Sequence, residues 1–160
     1  MANPRRPETP VREKVVKMIA ENRRAWHEYS ISQEIEAGVM LVGTEVKSLR
    51  DGKAQLSDGF ALISAGELWL ENVHIGIFKQ GNRFNHEEKR RRKLLIHKKE
   101  LEKLGGKLKD AGVTLVPLKL YFKGNKVKVL LGVGRGKKAY DKRASIKERD
   151  VKREMSREES

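Results

Sequence analysis

The feature that most constrains the fold is a pair of apolar stretches joined by a short polar turn. In residues 126–133 every second position is apolar, which is the period of a β-strand with one buried face. Residues 113–122 are also largely apolar, and residues 123–125 between them read Lys-Gly-Asn. Gly and Asn accept positive φ in a tight turn. We therefore predict an antiparallel hairpin, with Pro117 at an edge or a bulge.

Other stretches of the chain repeat the strand pattern at short intervals. Residues 29–36 alternate, residues 60–63 and 68–70 flank a turn, and residues 73–77 alternate again. Residues 14–20 form either a further strand or one helical turn. About six or seven short strands with two to three helices are typical of a closed antiparallel barrel. We predict a mainly β, OB-like barrel over residues 13–133.

Two helices and one long loop complete this prediction. The first helix spans 44–50, with Thr44 as its N-cap, and Gly38 interrupts the strand before it. The second helix spans 94–110, where leucines recur at helical spacing. The polar loop at 79–93 ends in five consecutive cations; this basic run either contacts a partner or is a solvated loop.

The two ends of the chain have a different composition from the barrel. Residues 1–12 carry three prolines among charges, and we predict a disordered lead. Glycines at 132, 134 and 136 are expected to loosen the backbone where the hairpin ends. Residues 134–160 are highly charged and contain few large apolar side chains, too few to offset the entropy of ordering. We predict a disordered basic tail that folds, as a helix, on a partner.

The charge balance restricts the class of partner. Lys and Arg exceed Asp and Glu by 36 to 22, which gives a net charge of +14. This excess favours phosphates, on nucleic acid or on an anionic membrane, although it also serves solubility. The chain has no apolar stretch long enough to span a membrane and no secretory signal. We therefore expect a cytoplasmic protein with no membrane partner.

Catalysis and metal binding find little support in the residues. The chain has no cysteine, and its four histidines share no close spacing. The glycines at 132–136 differ from a Walker A motif, which requires four residues between its glycines and then Lys and Ser or Thr. We expect neither an enzyme nor a metal or other cofactor.

RNA binding explains more of the residue pattern than catalysis or metal binding does. Residues 22–29 combine cations such as Arg23 with aromatic side chains, and unpaired RNA stacks on such groups. Trp26 and Tyr29 are either stacking platforms or core aromatics. Lys126 and Lys128 face away from the apolar side of their strand and are expected to be exposed. Glu36 is either a salt-bridge partner or an acceptor for a base edge or a 2′-hydroxyl.

Six blocks of the sequence, in order, resemble one family of proteins. They are Asn22-Arg-Arg-Ala-x-His-x-Tyr29, Glu36-Ala-Gly38, Gly43-Thr-Glu-Val-Lys-Ser-Leu-Arg50, Arg92-Lys-Leu-Leu95, Val116-Pro-Leu-Lys119 and Gly136-Lys-Lys-x-x-Asp-Lys-Arg143. The match is collinear from about residue 14 to residue 150. The chain thus resembles small protein B, the bacterial SsrA-binding family that partners transfer-messenger RNA (tmRNA).

The resemblance implies an RNA-binding adaptor. Such a protein grips the tRNA-like domain of tmRNA and delivers it to stalled ribosomes for trans-translation, nascent-chain tagging and ribosome rescue. The implied partners are tmRNA, charged with alanine and carried by elongation factor Tu, and the ribosome, including ribosomal RNA near the decoding site. A monomer is expected. The alternative is a general ribosome-associated RNA-binding protein or RNA chaperone with the same barrel.

The resemblance also implies two sets of site residues. Glu36, Leu94 and Lys128 match positions linked to RNA binding, and His27 and Tyr29 lie in a matching block. With the neighbouring cations, the expected RNA-binding set is Asn22, Arg23, His27, Tyr29, Glu36, Leu94, Lys126 and Lys128. The expected ribosome-facing tail set is Gly136, Lys137, Lys138, Asp141, Lys142 and Arg143.

Overall fold

The computed structural model describes residues 15–137, and for residues 81–83 it describes only the backbone. The expected disordered lead at 1–12, and the tail from residue 138 onward, lie outside this range. The strands found within it are β1 (Val16–Glu21), β2 (Tyr29–Val39), β3 (Ala54–Gln55), β4 (Phe60–Ser64), β5 (Glu67–Glu71), β6 (His74–Ile75), β7 (Arg92–Leu95), β8 (Val113–Lys123) and β9 (Lys126–Gly136). The helices are α1 (Arg23–Glu28), α2 (Gly43–Arg50), α3 (Lys98–Leu108) and a 3-10 helix at Lys79–Phe84.

Six strands form a closed ring of antiparallel pairs. Strands β8, β4, β5, β7, β2 and β9 pair in that order, and β9 pairs back onto β8. Strand β1 pairs with β8 outside the ring, and β3 pairs with β6 in a separate two-stranded sheet. The prediction of a mainly β, OB-like closed barrel is confirmed.

The hairpin of β8 and β9 supplies much of the barrel interior. Leu115, Leu120, Val129 and Leu131 are fully buried. Val129 and Leu131 lie two positions apart on β9, as the period-two pattern requires, whereas Leu115 and Leu120 lie on either side of a register shift in β8. The turn between the strands contains Gly124 at φ +62°, so the hairpin was predicted correctly. The register shifts after Pro117, which confirms the expected bulge.

Two element boundaries differ from the sequence prediction. Arg92–Leu95 is the strand β7, although we assigned its first half to a loop and its second half to a helix. Helix α3 accordingly begins at Lys98, not at residue 94. Residues 92–95 pair with β5 on one side and with β2 on the other, and these long-range hydrogen bonds outweigh the local helical pattern.

Three smaller details also differ from the sequence prediction. Residues 73–77 contribute only the two-residue strand His74–Ile75. Gly38 lies within β2, and the register shift falls between Ile31 and Gln33 instead. Thr44 is not the N-cap of α2: its Oγ1 lies 2.9 Å from His86 Nδ1.

The glycines at the end of the hairpin are inside the sheet. Strand β9 continues to Gly136, three residues beyond the expected barrel boundary at 133, and pairs there with Tyr29. A Cβ on Gly134 would lie 2.9 Å from both Ile31 Cδ1 and Ser30 O, and one on Gly132 would lie 2.9 Å from Leu118 Cδ1. These two glycines therefore allow close packing, and the expectation that they loosen the backbone was wrong.

In the part of the chain described, no helix is long and apolar enough to cross a membrane.

Candidate RNA interface

A row of register partners crosses the outer face of four barrel strands. Leu95 of β7 is paired with Gly38 of β2, Gly38 with Lys128 of β9, and Lys128 with Tyr121 of β8. Side chains alternate between the two faces of a strand, and the neighbours Leu94, Ala37, Val129 and Leu120 point into the core. The row therefore faces outward.

Gly38 brings two side chains of this row together. A Cβ on Gly38 would lie 3.4 Å from Leu95 Cβ and 3.6 Å from Lys128 Nζ. The Lys128 ammonium consequently reaches across β2 towards Leu95, over the place where a side chain is missing. An apolar surface and a cation thus meet at one point.

Glu36 lies two residues before Gly38 on the same face of β2. The Tyr121 hydroxyl donates a hydrogen bond to Glu36 Oε2, and Lys123 Nζ lies 3.1 Å from Oε1. The hydrogen bond from Tyr121 is the main cause that holds the Glu36 pKa below its ordinary value. Desolvation opposes this lowering, and the Lys123 and Lys128 ammonium groups add to it. Burial, and then the bond to Glu36, raises the pKa of Tyr121. Glu36 is therefore an oriented, ionised acceptor.

Beside this row, β2 and α3 enclose a groove of about 670 Å³, which we call the β2–α3 groove. Glu36 and Lys128 line one wall, and Leu95 lies at the junction with the other. The remaining lining residues are Gln33, Glu34, Ile35, Ile96, His97, Glu100, Lys103, Leu104 and Lys107. Apolar side chains, lysines and carboxylates all reach this one concave surface.

Helix α1 carries another part of the predicted site. Arg23 is strongly exposed, and Trp26 is 40% exposed. His27 and Tyr29 are half-buried, and Tyr29 packs against Leu118 and its neighbours. The ring of Tyr29 therefore belongs partly to the core, whereas Trp26 remains accessible for stacking.

Asn22 does not fit the RNA-binding role we expected. It is 3% exposed, and its Oδ1 accepts a hydrogen bond from Ala25 N, which makes it the N-cap of α1. Its Nδ2 donates to Pro117 O at 2.9 Å. Its amide therefore fastens α1 to the barrel.

Leu94, another residue of the expected RNA-binding set, differs from its neighbour in exposure. It is 3% exposed and belongs to the core, whereas its neighbour Leu95 is 52% exposed and lines the groove. The two differ because the pairing of β7 with β2 sets which residue of each couple faces outward. Of this couple, therefore, Leu95 is the residue that faces the groove.

The basic run at 89–93 contains a buried anchor. Arg92 is fully buried and donates hydrogen bonds to Glu45 of α2 and, at 2.7 Å, to Val73 O. Arg90 bonds the other oxygen of Glu45 at 2.6 Å. Burial works to raise the pKa of Glu45, but the bonds from Arg90, the Val42 N–H and Arg92 outweigh it and lower this pKa. This network fixes the start of β7, and with it Leu95.

Of the expected tail set, the structure describes only Gly136 and Lys137. Lys137 N donates to Glu28 O at 2.8 Å, and Lys137 Nζ donates to Trp26 O at 3.1 Å. The carbonyl end of α1 therefore holds the chain where it leaves the barrel. Lys138, Asp141, Lys142 and Arg143 lie outside the described residues.

Tyr121, Lys123 and the lysines of α3 are absent from the expected site residues. Tyr121 had an ordinary strand pattern, and its link to Glu36 spans 85 positions of sequence. The spacing of Lys103 and Lys107 by four does place them on one helix face, but only the fold shows that this face borders the groove. Within residues 15–137, no group of three or more His, Cys, Asp or Glu could hold a metal ion.

Comparisons with known proteins agree with this architecture. The model of the SmpB protein family matches residues 19–160. An SsrA-binding protein of Carboxydothermus hydrogenoformans is 58% identical over 141 residues, covering 88% of this chain and 95% of that protein. The SsrA-binding protein of Staphylococcus saprophyticus is 54% identical over 140 residues, covering 88% and 91%.

A solved structure is similar as well. It is described as "tmRNA-SmpB: a journey to the center of the bacterial ribosome", and the matched chain is 53% identical with a TM-score of 0.65. The alignment covers 75% of this chain and 85% of the matched one.

Proposed function

Because this chain belongs to the SmpB protein family, we propose that it is an RNA-binding adaptor of trans-translation. It binds the tRNA-like domain of tmRNA and delivers it to stalled ribosomes, so that the nascent chain is tagged and the ribosome is rescued. It acts by binding and positioning RNA, not by catalysis, and it works in the cytoplasm.

The observation that carries the proposal is the outward row of Leu95, Gly38 and Lys128 with Glu36 beside it. Leu95, Gly38 and Lys128 lie on three paired strands, β7, β2 and β9. Glu36 is held in place by the hydrogen bond from Tyr121. A cation, an apolar contact and an oriented acceptor in fixed positions suit folded RNA with exposed base edges and 2′-hydroxyls. The net charge of +14 adds long-range attraction.

The tail has a separate role in this proposal. Gly136 and Lys137 are tied to the barrel at α1, and residues from 138 onward act on the ribosome, near ribosomal RNA of the decoding site. Lys138, Asp141, Lys142 and Arg143 are the residues of this segment that we assign to that contact. The protein acts as a monomer on alanyl-tmRNA carried by elongation factor Tu.

Competition binding tests the adaptor role. The full chain is titrated with labelled tRNA-like domain of tmRNA, and unlabelled elongator tRNA is added at about 150–200 mM salt, where nonspecific phosphate contacts weaken. An adaptor retains the tRNA-like domain under these conditions. Equal affinity for both RNAs would instead indicate a general ribosome-associated RNA-binding protein.

A further inference from the structure

The charges of the β2–α3 groove are mixed. Its lining contains three carboxylates, on Glu34, Glu36 and Glu100, and three lysines, Lys103, Lys107 and Lys128. A continuous phosphate track would be repelled by the carboxylates, because like charges brought close together are destabilising. The groove is therefore unsuited to nonspecific contact along an RNA backbone, despite the strongly positive chain.

The same lining suits one nucleotide that has left its stack. Leu95, Ile35 and Ile96 supply apolar surface for a base, and the Glu36 carboxylate accepts hydrogen bonds from amino or hydroxyl groups. The volume of about 670 Å³ falls within the range of about 300–1,000 Å³ that small-molecule sites occupy. Unpaired bases of RNA loops are commonly recognised in this way.

The lysines stand on opposite walls of the groove. Lys128 comes from β9, whereas Lys103 and Lys107 lie one turn apart on α3. Phosphates on the two sides of a bound nucleotide would therefore meet cations from both walls. Lys98 and Lys99, in the first turn of the same helix, are exposed and do not line the groove.

From this arrangement we propose that the β2–α3 groove holds a single unpaired nucleotide of the RNA, with its flanking phosphates on Lys128 and on Lys103 and Lys107 of α3. The inference rests on the proposed function for the identity of the RNA. It adds a binding role for α3 and a chemical class of ligand for the groove. Gly38 is a positioning residue, since it allows Lys128 to reach the wall beside Leu95.

Two double variants of α3 test the phosphate contacts. Lys103→Ala with Lys107→Ala removes the groove lysines, and Lys98→Ala with Lys99→Ala removes the same charge from outside the groove. All four side chains are exposed, so both variants should fold. Affinity for the transcribed tRNA-like domain is measured against salt concentration.

We expect the groove variant to lower the salt slope by about two units and to bind at least about tenfold more weakly, while the control variant behaves like wild type. Equal losses in both variants, or no loss in the groove variant, would overturn the inference. These variants test the groove and not the preference for one RNA over another. A failure of the adaptor role would be seen separately, as equal binding of elongator tRNA and the tRNA-like domain to the wild-type chain.

A fluorescent base tests the single nucleotide. 2-Aminopurine is placed in turn at each unpaired loop position of the tRNA-like domain. We expect one position to change its fluorescence on binding, and Leu95→Ala to remove that change. The inference fails if no position responds, or if the response persists in Leu95→Ala.

A substitution at Gly38 tests the positioning role. Gly38→Val adds a side chain between Leu95 and Lys128 at a residue with no positive φ, and valine favours strands. It should keep the thermal transition and weaken binding by about tenfold or more. Gly43→Val is the control, because no atom lies within 4 Å of a Cβ there. Wild-type binding by Gly38→Val would refute the role.

Discussion

At the scale of single residues, the proposed RNA interface depends on how neighbouring strands hold Glu36. Its carboxylate is bonded by Tyr121 and Lys123 of β8, and Lys128 of β9 adds a favourable charge. The acceptor is thus oriented before any RNA arrives. Such preorganisation reduces the entropy lost on binding.

The pKa of Glu36 reports this preorganisation directly. In Tyr121→Phe the main cause of the lowered pKa is removed, so we expect the pKa to rise towards the ordinary value of 4.5. Because the folded value is below the unfolded one, the bond stabilises the fold above about pH 4.5 and that contribution is lost as the pH falls through the folded pKa. Carboxyl NMR titration of both proteins measures the shift, and an unchanged pKa would contradict the assignment.

Lys128 contributes a charge that the RNA should sense. We expect Lys128→Ala to weaken binding to the tRNA-like domain and to lower the salt slope by about one unit, since one phosphate contact is lost. Binding isotherms at several salt concentrations give the slope. Lys99→Ala is the matched control, and a slope in Lys128→Ala equal to that of the control would argue against a phosphate contact.

Sequence reasoning identified part of this residue pattern. The outward direction of Lys128 follows from the alternation along its own strand, which local sequence contains. The burial of Leu94 and Asn22 was not predictable, because it depends on distant partners: β2 for Leu94, and Pro117 O for Asn22. The bond from Tyr121 to Glu36 could not be predicted for the same reason.

At the scale of elements, Gly132 and Gly134 of β9 allow this strand to pack closely against Ile31 of β2. A Cβ on Gly134 would lie 2.9 Å from both Ile31 Cδ1 and the Ser30 carbonyl oxygen. The sequence showed the glycines but not their neighbours, so we interpreted them as a flexible connection. The start of the helix predicted at 94–110 was wrong for a similar reason. Residues 94 and 95 pair as part of β7, so α3 begins only at Lys98.

Alanine substitutions test whether Gly134 is needed for close packing or for backbone flexibility. Gly134→Ala should lower the free energy of unfolding by about 1–3 kcal/mol, because its Cβ would overlap Ile31 and backbone that cannot easily move. Gly136→Ala is the control, as nothing lies within 4 Å of a Cβ there. Urea denaturation measures both, and equal stability of the two variants would show that close packing is not the reason for Gly134.

At the scale of the whole molecule, the barrel closes through contacts that are remote in sequence. The hairpin and the strand pattern were enough to predict a closed β barrel. Which strands meet, and hence which side chains share a face, depends on pairings such as β2 with β9. For that reason the class of fold was predictable, whereas the groove between β2 and α3 was not.

The separate roles proposed for the barrel and the tail determine where the chain should be truncated. Residues up to 137 include the whole of β9 and the Lys137 bonds to α1, so a cut at 133 would remove paired strand residues. A chain ending at Lys137 keeps every residue of the proposed RNA interface. It loses the segment that we assign to the ribosome.

The truncated chain, residues 1–137, tests this account most directly when its affinity for the tRNA-like domain of tmRNA and its tagging activity are measured together. We predict a cooperative thermal transition and an affinity within about threefold of the full chain, with tagging abolished. A folded truncated chain that no longer binds the tRNA-like domain, or that still supports tagging, would contradict the account.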